Sequence, residues 1–449
     1  MNLTQALWSA PSAQGPLSAQ VTIPGSKSLS NRYLILAALG RRPVEIRGLL
    51  RSRDTDLMLA ALHTFGVESR AGEQDPTQVT ILPPEHGIFT GGGEVDCGLA
   101  GTVMRFAPAL AMLADGPTRF TGDRQAQERP MRSLLDGLEQ LGARVIYEGA
   151  DGYLPFTIQP PEHFNGGVVS IDSSSSSQFI SGLLLLGSRA CDGLQVHHVG
   201  ASLPSLPHIR MTVSDIQQTG VQVEAREDQA TWQVHQEPGQ LGPQLPEVIQ
   251  VEPDLSNAAP FLGAALISGG SVCVPHWPTE TTQPGGLLPD MLTSLGAQVS
   301  FPTIDADQAC RVQGSGSLHG LGDYNMAAAG ELAPTLAALA VFADSPTRLR
   351  GIGHLRGHET NRLAALTAEI RKVGGQAEEL EDGIAIVPVE RRELHPACIE
   401  TYADHRMATF AALLGLGIPG IEVRNIGTTS KTLPNFVPMW EQILSTATV

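Results

Sequence analysis

The hydrophobic residues of the chain form two patterns, and each pattern predicts one kind of helix. Segments of the first kind are apolar on nearly every face, which is typical of a helix buried on all sides. Six such segments recur along the chain, at residues 33–39, 103–113, 179–186, 258–267, 332–342 and 407–414. The first is followed by Gly40, a residue suited to ending a helix in a left-handed conformation.

Segments of the second kind are apolar on one side only and end in glycine ahead of an alternating, strand-like run. They predict amphipathic helices closed by a left-handed glycine. Five are clear, at 57–66, 134–142, 211–220, 287–296 and 363–374, and a sixth is less clear near Pro434. The closing glycines recur with a period of about 76 residues.

The two helix types alternate in a constant phase, so the chain is predicted to contain six units of strand–helix–strand–helix–strands. Such repetition favours an α/β repeat architecture over one wound sheet. A chain of 449 residues is also too long for one core. The widest gap between units contains a Pro- and Gly-rich, linker-like run at 237–246. We therefore place a domain boundary near residue 250, with three units on each side.

Composition and charge exclude several classes of protein. The longest apolar runs are far too short to span a membrane, and no secretory signal is visible at the N-terminus. A net charge of −17 disfavours nucleic-acid binding. The 5 cysteines stand singly without a CxxC spacing, which argues against a zinc site or disulfide framework and fits a reducing cytoplasm.

Polar and cationic residues cluster where the buried helices begin. The clearest case is the stretch at 25–32, in which Lys27 and Arg32 lie at the start of the first buried helix. Unpaired N–H groups and the helix dipole favour an anion there, although the spacing is not that of a P-loop. A serine-rich cap with solvated cations is the alternative. Lysine is scarce in the chain, and Lys27 and Lys431 both lie in Ser-Lys contexts.

Seven short segments share the order and the phase of these helix starts. They are 25–32 (GSKSLSNR), 100–105 (AGTVMR), 128–130 (ERP), 176–179 (SSQF), 356–362 (RGHETNR), 404–407 (DHRM) and 429–432 (TSKT). Together they resemble the 5-enolpyruvylshikimate-3-phosphate synthases (3-phosphoshikimate 1-carboxyvinyltransferases), in a pattern like that of the actinobacterial branch. The resemblance extends from about Val21 to Pro434.

The resemblance implies the enolpyruvyl transferase fold, a two-domain inside-out α/β barrel with six βαβαββ repeats, three per domain. Residues 1–25 with 252–449 would form one domain, which includes the first strand, and 26–251 the other. Crossings near 23–27 and 248–254 would act as hinges for domain closure on the substrate. The implied protein is a cytoplasmic monomer of the shikimate pathway (aromatic amino acid and chorismate biosynthesis) that binds small molecules but no nucleic acid and no membrane.

The implied reaction moves the enolpyruvyl group of phosphoenolpyruvate to the 5-hydroxyl of shikimate 3-phosphate and releases phosphate. It proceeds through a tetrahedral intermediate, without metal or organic cofactor. Catalysis is assigned by the resemblance to Glu331, which would accept the hydroxyl proton, and to Glu359, favoured over Lys27 as proton donor to the methylene carbon. Carboxylates and lysine suit such proton transfer.

The resemblance also assigns the substrate contacts. For shikimate 3-phosphate these are Lys27, Ser28, Arg32, Ser176, Ser177, Gln178, Ser205, His208, Glu331 and His358. For phosphoenolpyruvate they are Lys27, Gly101, Arg129, Gln178, Arg362, Arg406 and Lys431. The chain departs from the common family pattern at Leu99, His208, Glu331, His358 and Asn361.

Three alternatives stay open at this stage. The related transferase that acts on UDP-N-acetylglucosamine normally carries a cysteine in the loop before its Arg-Pro, and the loop at 122–128 has none. An RNA 3′-phosphate cyclase-like enzyme would need a basic face, which the acidic composition disfavours. A non-catalytic anion-binding protein would not need Glu331 and Glu359 among the cations. Arg105 could also be an interior cation of its helix, paired with a carboxylate, rather than a ligand contact.

Overall fold

The computed structural model describes residues 7–203, 205–236, 239 and 242–446. The chain divides into two compact units, and four residues of the linker-like run lie outside the described residues. The C-terminal unit comprises Met1–Pro24 and Glu252–Val449, and the N-terminal unit comprises Gly25–Val251. Among the helices in the described ranges, none is long and apolar enough to cross a membrane.

The helices follow the two predicted types in alternation. They are α1 (Lys27–Leu39), α2 (Arg53–Thr64), α3 (Gly101–Ala111), α4 (Arg132–Gln140), α5 (Gln178–Gly187), α6 (Leu206–Gln217), α7 (Leu255–Ser268), α8 (Leu288–Ser294), α9 (Ala333–Val341), α10 (Arg362–Lys372), α11 (His405–Gly417) and α12 (Phe436–Leu444). Short 3₁₀ turns precede α8, α9 and α10, and another, Ile426–Lys431, precedes α12.

The strands are short, most of them three to five residues long. They are β1 (Leu7–Ser9), β2 (Ser18–Gln20), β3 (Val44–Arg47), β4 (Glu68–Ala71), β5 (Val79–Leu82), β6 (Glu94–Asp96), β7 (Thr118–Thr121), β8 (Arg144–Tyr147), β9 (Phe156–Gln159), β10 (Gly167–Ile171), β11 (Leu194–His198), β12 (Gln222–Arg226), β13 (Thr231–His235), β14 (Val248–Gln250), β15 (Ser271–Val274), β16 (Gln298–Ser300), β17 (Thr303–Ile304), β18 (Asp307–Gln308), β19 (Cys310–Gln313), β20 (Gly322–Asn325), β21 (Thr347–Arg350), β22 (Gln376–Glu379), β23 (Ile384–Val387), β24 (Cys398–Glu400) and β25 (Glu422–Arg424).

The N-terminal unit consists of three four-stranded sheets and one shared core. The sheet orders are β14-β3-β5-β4, β6-β7-β9-β8 and β10-β11-β13-β12, each with one parallel pair followed by antiparallel pairs. The apolar helices α1, α3 and α5 contact one another and supply much of the core. Burial of helices without a polar face explains why the helices lie inside and the sheets outside.

The C-terminal unit repeats this arrangement around α7, α9 and α11. Two sheets have four strands, in the orders β16-β19-β15-β2 and β20-β21-β23-β22, and a small hairpin joins β17 to β18. The sixth sheet has three strands, β1-β25-β24. Strand β1, near the N-terminus of the chain, completes this sheet by pairing antiparallel with β25.

At both boundaries a strand pairs in one unit while the following helix belongs to the other. Strand β2 pairs with β15, and the chain then leads to α1. Strand β14 pairs with β3, and the chain then leads to α7. A Cβ on Gly25 would lie 1.9 Å from the carbonyl oxygen of Gly48, so only glycine fits where α1 is about to begin.

The helix pattern predicted from hydrophobicity is confirmed. Each closing glycine of the amphipathic helices has a left-handed φ, between 80° and 99°, as its position predicted: Gly66, Gly142, Gly220, Gly296 and Gly374. The prediction for Gly40 is wrong. This residue has φ −68° and ψ −169°, and its N–H bonds to the carbonyls of Leu36 and Ala37, so α1 ends in an extended conformation.

Candidate active site

The predicted site residues fall into two groups, one in each unit. The N-terminal cluster comprises Lys27, Ser28, Arg32, Gly101, Arg129, Ser176, Ser177, Gln178, Ser205 and His208. The C-terminal cluster comprises Glu331, His358, Glu359, Arg362, Arg406 and Lys431. In both clusters many of the residues lie at the first turns of helices, where backbone N–H groups are unpaired within the helix.

Lys27 is the first residue of α1 and has a buried carboxylate beside it. The Ser26 side chain caps the helix by accepting the N–H of Leu29 at 3.4 Å. The Lys27 Nζ atom lies 3.2 Å from Oδ2 of Asp54, whose side chain is 3% exposed against 19% for Lys27. The ammonium is thus oriented by a carboxylate in the first turn of α2. Asp54 is not among the site residues predicted from the sequence, because a single carboxylate carries no local sign of this ion pair.

Arg32 extends into the interior of the N-terminal unit. Its guanidinium is buried and donates to Thr212 Oγ1 at 2.8 Å and to the carbonyl oxygens of Ser28 and His208, each at 2.9 Å. Burial lowers the pKa of Arg32 to about 10, and the nearby Asp215 carboxylate opposes this shift. These bonds tie α1 to α6, so Arg32 holds the helix start that carries Lys27.

Three polar side chains lie near the position that a Cβ would take on Gly101, the first residue of α3. A Cβ there would lie 3.4 Å from the nearest nitrogen of Arg105, the nearest nitrogen of Arg129 and Oε1 of Gln178. Arg105 is buried with its guanidinium 5.7 Å from the ring centre of Phe179. The structure therefore brings Gly101, Arg129 and Gln178 together, and their contact with phosphoenolpyruvate stays a prediction.

The serines before α5 form a bonded loop. The Ser173 hydroxyl donates to the carbonyl oxygen of Ser176 at 2.5 Å, and the N–H of Gln178 donates to Ser176 Oγ at 3.3 Å. The N–H of Ser173 donates to Nδ1 of His198 at 3.0 Å. His198 was not identified from the sequence, because a histidine at the end of strand β11 carries no local signal of this contact.

Ser205 and His208 lie at the start of α6. Ser205 is the N-cap residue and has a left-handed φ of 55°. The N–H of His208 donates to the Ser205 carbonyl at 2.9 Å, and the His208 carbonyl accepts from Arg32. The backbone of this turn is thereby joined to α1, which places both residues in the N-terminal cluster.

Arg362 is the centre of the C-terminal cluster. It begins α10, where Asn361 caps the helix by accepting the N–H of Ala364 at 3.2 Å. Its guanidinium donates from Nε and Nη2 to the two oxygens of Asp404 at 2.7 and 3.2 Å, and from Nη2 to Glu359 at 2.9 Å. Such a forked contact fixes the plane of the guanidinium. Both Arg362 and Asp404 are buried.

Glu359 lies between two cations. Its Oε1 accepts from Lys431 Nζ at 2.6 Å, and its Oε2 accepts from Arg362. Burial by itself would raise the pKa of the Glu359 carboxyl, but the charges of Lys431 and Arg362 outweigh burial and hold that pKa well below its usual range. Glu359 is therefore a carboxylate at neutral pH in the ligand-free protein.

Arg406 and Glu331 meet through Ser256. The Arg406 Nη1 group donates to the Ser256 carbonyl at 2.7 Å, and the Ser256 hydroxyl donates to Oε1 of Glu331 at 3.3 Å. Burial lowers the pKa of Arg406, against the attraction of Asp254. The structure thus places Glu331, the expected base, beside a buried arginine at the start of α11.

His358 contacts Arg362 directly, with its Nδ1 atom 3.1 Å from Nη1 of the guanidinium. A guanidinium only donates, so Nδ1 is the acceptor in this contact. The contact holds the His358 ring against the first residue of α10. The described residues include no group of three or more His, Cys, Asp or Glu side chains arranged to hold a metal ion.

The charged groups of these clusters suit the binding of anions and the transfer of protons. Several guanidinium and ammonium groups supply charge-assisted donors for phosphate and carboxylate. Glu331 and Glu359 can take and return protons.

A sequence model of the family described as EPSP synthase (3-phosphoshikimate 1-carboxyvinyltransferase) matches residues 11–440. The chain belongs to the EPSP synthase family.

A curated relative in this family is very similar. The 3-phosphoshikimate 1-carboxyvinyltransferase of Bifidobacterium longum (strain DJO10A) is 62% identical over 440 residues, which is 98% of each chain. The resemblance stated from the seven segments is confirmed.

Solved structures of EPSP synthase and of another enolpyruvyl transferase share the fold. An EPSP synthase from Acinetobacter baumannii has a TM-score of 0.78 at 23% identity, covering 97% of this chain and 98% of its own. The enolpyruvyl transferase NikO from Streptomyces tendae has a TM-score of 0.69 at 17% identity and 96% coverage of both chains. At these identities the likeness establishes the fold, and the predicted fold class of six βαβαββ repeats is confirmed.

Proposed function

We propose that the chain transfers the enolpyruvyl group of phosphoenolpyruvate to the 5-hydroxyl of shikimate 3-phosphate and releases phosphate. One observation carries the proposal at the level of chemistry: the Glu359 carboxylate lies 2.6 Å from Lys431 and 2.9 Å from Arg362. An acid–base group is thereby held next to two cations that suit an anionic substrate.

In this proposal phosphoenolpyruvate contacts Lys27, Gly101, Arg129, Gln178, Arg362, Arg406 and Lys431. Shikimate 3-phosphate contacts Lys27, Ser28, Arg32, Ser176, Ser177, Gln178, Ser205, His208, Glu331 and His358. The serine loop before α5 supplies hydroxyl and N–H donors, and the guanidinium groups supply charge. Arg32 also holds α1, because three of its donors already meet interior acceptors.

The proposed reaction has two steps with a balanced transfer of protons. In the addition, the 5-hydroxyl oxygen attacks C2 of phosphoenolpyruvate, Glu331 accepts the hydroxyl proton, and C3 receives a proton from Glu359 or Lys27. In the elimination, the C–O bond between C2 and phosphate breaks, the departing phosphate takes the proton held by Glu331, and C3 returns a proton to the group that supplied it, which restores the double bond. Glu359 must first gain a proton, and an anion bound at Lys431 and Arg362 would raise its pKa and favour that gain.

The test is phosphate release from phosphoenolpyruvate by the purified protein, with and without shikimate 3-phosphate. We expect release only when both are present. UDP-N-acetylglucosamine replaces shikimate 3-phosphate in a parallel assay. Phosphate release that requires UDP-N-acetylglucosamine and not shikimate 3-phosphate would contradict the proposal. So would phosphate release from phosphoenolpyruvate without either acceptor.

We further propose that the chain works as a monomer. Light scattering should then give a mass near 47.5 kDa with and without the substrates. A stable mass near twice this value would contradict it. The cytoplasmic location expected from the cysteine pattern stays a prediction.

A further inference from the structure

The turn that precedes α11 is held in an unfavourable backbone conformation. Tyr402 and Ala403 have φ values of 52° and 55°, so two consecutive residues with a Cβ are left-handed. Residues other than glycine seldom adopt this conformation, because the Cβ approaches the next carbonyl oxygen. Asp404 follows at once as the N-cap of α11, and Arg406 is in the first turn.

A buried carboxylate anchors this turn from the side. The Tyr402 hydroxyl donates to Oε1 of Glu369 at 2.7 Å. The Glu369 side chain is fully buried and also accepts from Lys372 Nζ at 2.8 and 2.7 Å and from the N–H of Glu400 at 3.3 Å. Burial, together with the Glu369 charge, raises the pKa of Tyr402, so its hydroxyl keeps its proton and remains a donor.

Helix α10 therefore contacts the turn at two points. Glu369, near the end of α10, binds the Tyr402 hydroxyl, and Arg362, at the start of α10, binds the Asp404 carboxylate. Asp404 also accepts the N–H of Arg406 at 2.8 Å. The place of Asp404 relative to the two arginines thus depends on a turn whose conformation the Tyr402 bond supports.

We propose that Tyr402 is a positioning residue for the phosphoenolpyruvate-binding arginines. It acts through Glu369 and the left-handed turn, and it touches neither substrate. The inference rests on the proposed function, because it assumes that Arg362 and Arg406 meet phosphoenolpyruvate. Glu369 takes part in this positioning by binding the Tyr402 hydroxyl, and Lys372 by binding the Glu369 carboxylate.

The first test is Tyr402→Phe, which removes the hydroxyl and keeps the ring. We expect the KM for phosphoenolpyruvate to rise about tenfold, the size of a lost hydrogen bond to a charged group. The KM for shikimate 3-phosphate should stay within about twofold of wild type. Tyr324→Phe is the matched control, since it removes the hydroxyl of another partly buried tyrosine in the same unit, on strand β20.

The second test asks whether the bond acts by holding the turn. Ala403→Gly removes the Cβ that disfavours the left-handed conformation. Added to Tyr402→Phe, it should restore most of the lost affinity for phosphoenolpyruvate. Glu369→Gln keeps an acceptor for Tyr402 and should raise the KM for phosphoenolpyruvate less than Tyr402→Phe does.

The outcomes separate this inference from the proposed function. A wild type that releases no phosphate would refute the proposed function, and equilibrium binding of phosphoenolpyruvate to the same variants would then test the positioning role. An active wild type with unaltered kinetics in Tyr402→Phe would overturn the inference alone. An equal rise in the KM values for phosphoenolpyruvate and shikimate 3-phosphate that Ala403→Gly does not reverse would also overturn it. If Tyr402→Phe fails to fold, the comparison uses Glu369→Gln with and without Ala403→Gly.

Discussion

Replacing Glu359 with glutamine tests the chemistry proposed for the C-terminal cluster. The substitution keeps the size of the side chain and removes its charge. In the ligand-free protein this carboxylate accepts from Lys431 at 2.6 Å and from Arg362 at 2.9 Å. A substrate anion that binds these two cations must share them with the carboxylate. Glu359→Gln should therefore favour anion binding and at the same time remove an acid–base group.

The two effects have different sizes and opposite directions. With an effective dielectric constant of about 20, a bound anionic charge about 6 Å from the carboxylate is repelled by about 3 kcal/mol. Even a third of that, about 1 kcal/mol, corresponds to roughly fivefold tighter binding. Loss of a positioned acid or base typically lowers the rate by about 10²–10⁴-fold. We expect both KM for phosphoenolpyruvate and kcat to fall, with kcat falling much further.

The assay is steady-state phosphate release at saturating shikimate 3-phosphate, together with direct binding of phosphoenolpyruvate. Glu381→Gln, which neutralises an exposed carboxylate in the same unit, is the matched control and should behave as wild type. A kcat for Glu359→Gln within about threefold of wild type would show that Glu359 is not the proton donor and would favour Lys27. An unchanged or higher KM would show that the carboxylate does not compete with the substrate.

Four further predictions concern other parts of the chain. Acid should destabilise the wild type more than Glu359→Gln. The pKa of Glu359 in the folded state lies below its unfolded value of about 4.3, so the ionised carboxyl stabilises the fold above that pH. This contribution is lost as the pH falls through the folded-state pKa. Urea unfolding from about pH 6 to pH 3 measures the difference, and parallel curves would contradict it. Lys27→Ala should lower kcat/KM by a factor that corresponds to a loss of about 3 kcal/mol of transition-state stabilisation. Lys27→Arg should also lower kcat/KM, because a guanidinium does not replace a compact ammonium beside Asp54. Near-normal kinetics in the arginine variant would show that only a diffuse positive field matters. Gly101→Ala should fold normally, since its Cβ would meet no atom closer than 3.4 Å, yet raise the KM for phosphoenolpyruvate several-fold; a normal KM would remove Gly101 from the binding residues. Replacing the 5 cysteines by serine or alanine should leave kcat per folded molecule unchanged, and a loss of activity with folding intact would indicate a catalytic cysteine.

Much of the fold could be predicted because its signals are local. An all-round apolar segment has to be buried, and the glycine that ends an amphipathic helix has to be left-handed, as at Gly142 and Gly296. One exception is local, because Gly40 ends α1 in an extended conformation. The other involves a partner distant in the chain. The sixth sheet takes its third strand, β1, from the other end of the sequence, and no pattern around β25 indicates this.

The candidate site was predicted residue by residue only through resemblance, and the assigned roles, the domain limits and the hinge crossings stay predictions. Local pattern alone identified helix starts that suit anions, such as the stretch around Lys27. It could not identify Asp54, His198 or Tyr402, because a single carboxylate, histidine or tyrosine looks the same in sequence whether it is solvated or bonded inside the protein.

The sequence by itself therefore determined the number of repeats, the two helix types and the positions where cations meet helix starts. Those properties depend on helical periodicity and on the conformations open to glycine, which neighbouring residues decide. The tertiary structure decided which charges are paired: Lys27 with Asp54 across 27 positions, Arg362 with Asp404 across 42, and Lys431 with Glu359 across 72. A buried charge requires a counter-charge close in space, and the fold alone determines which residue comes that close.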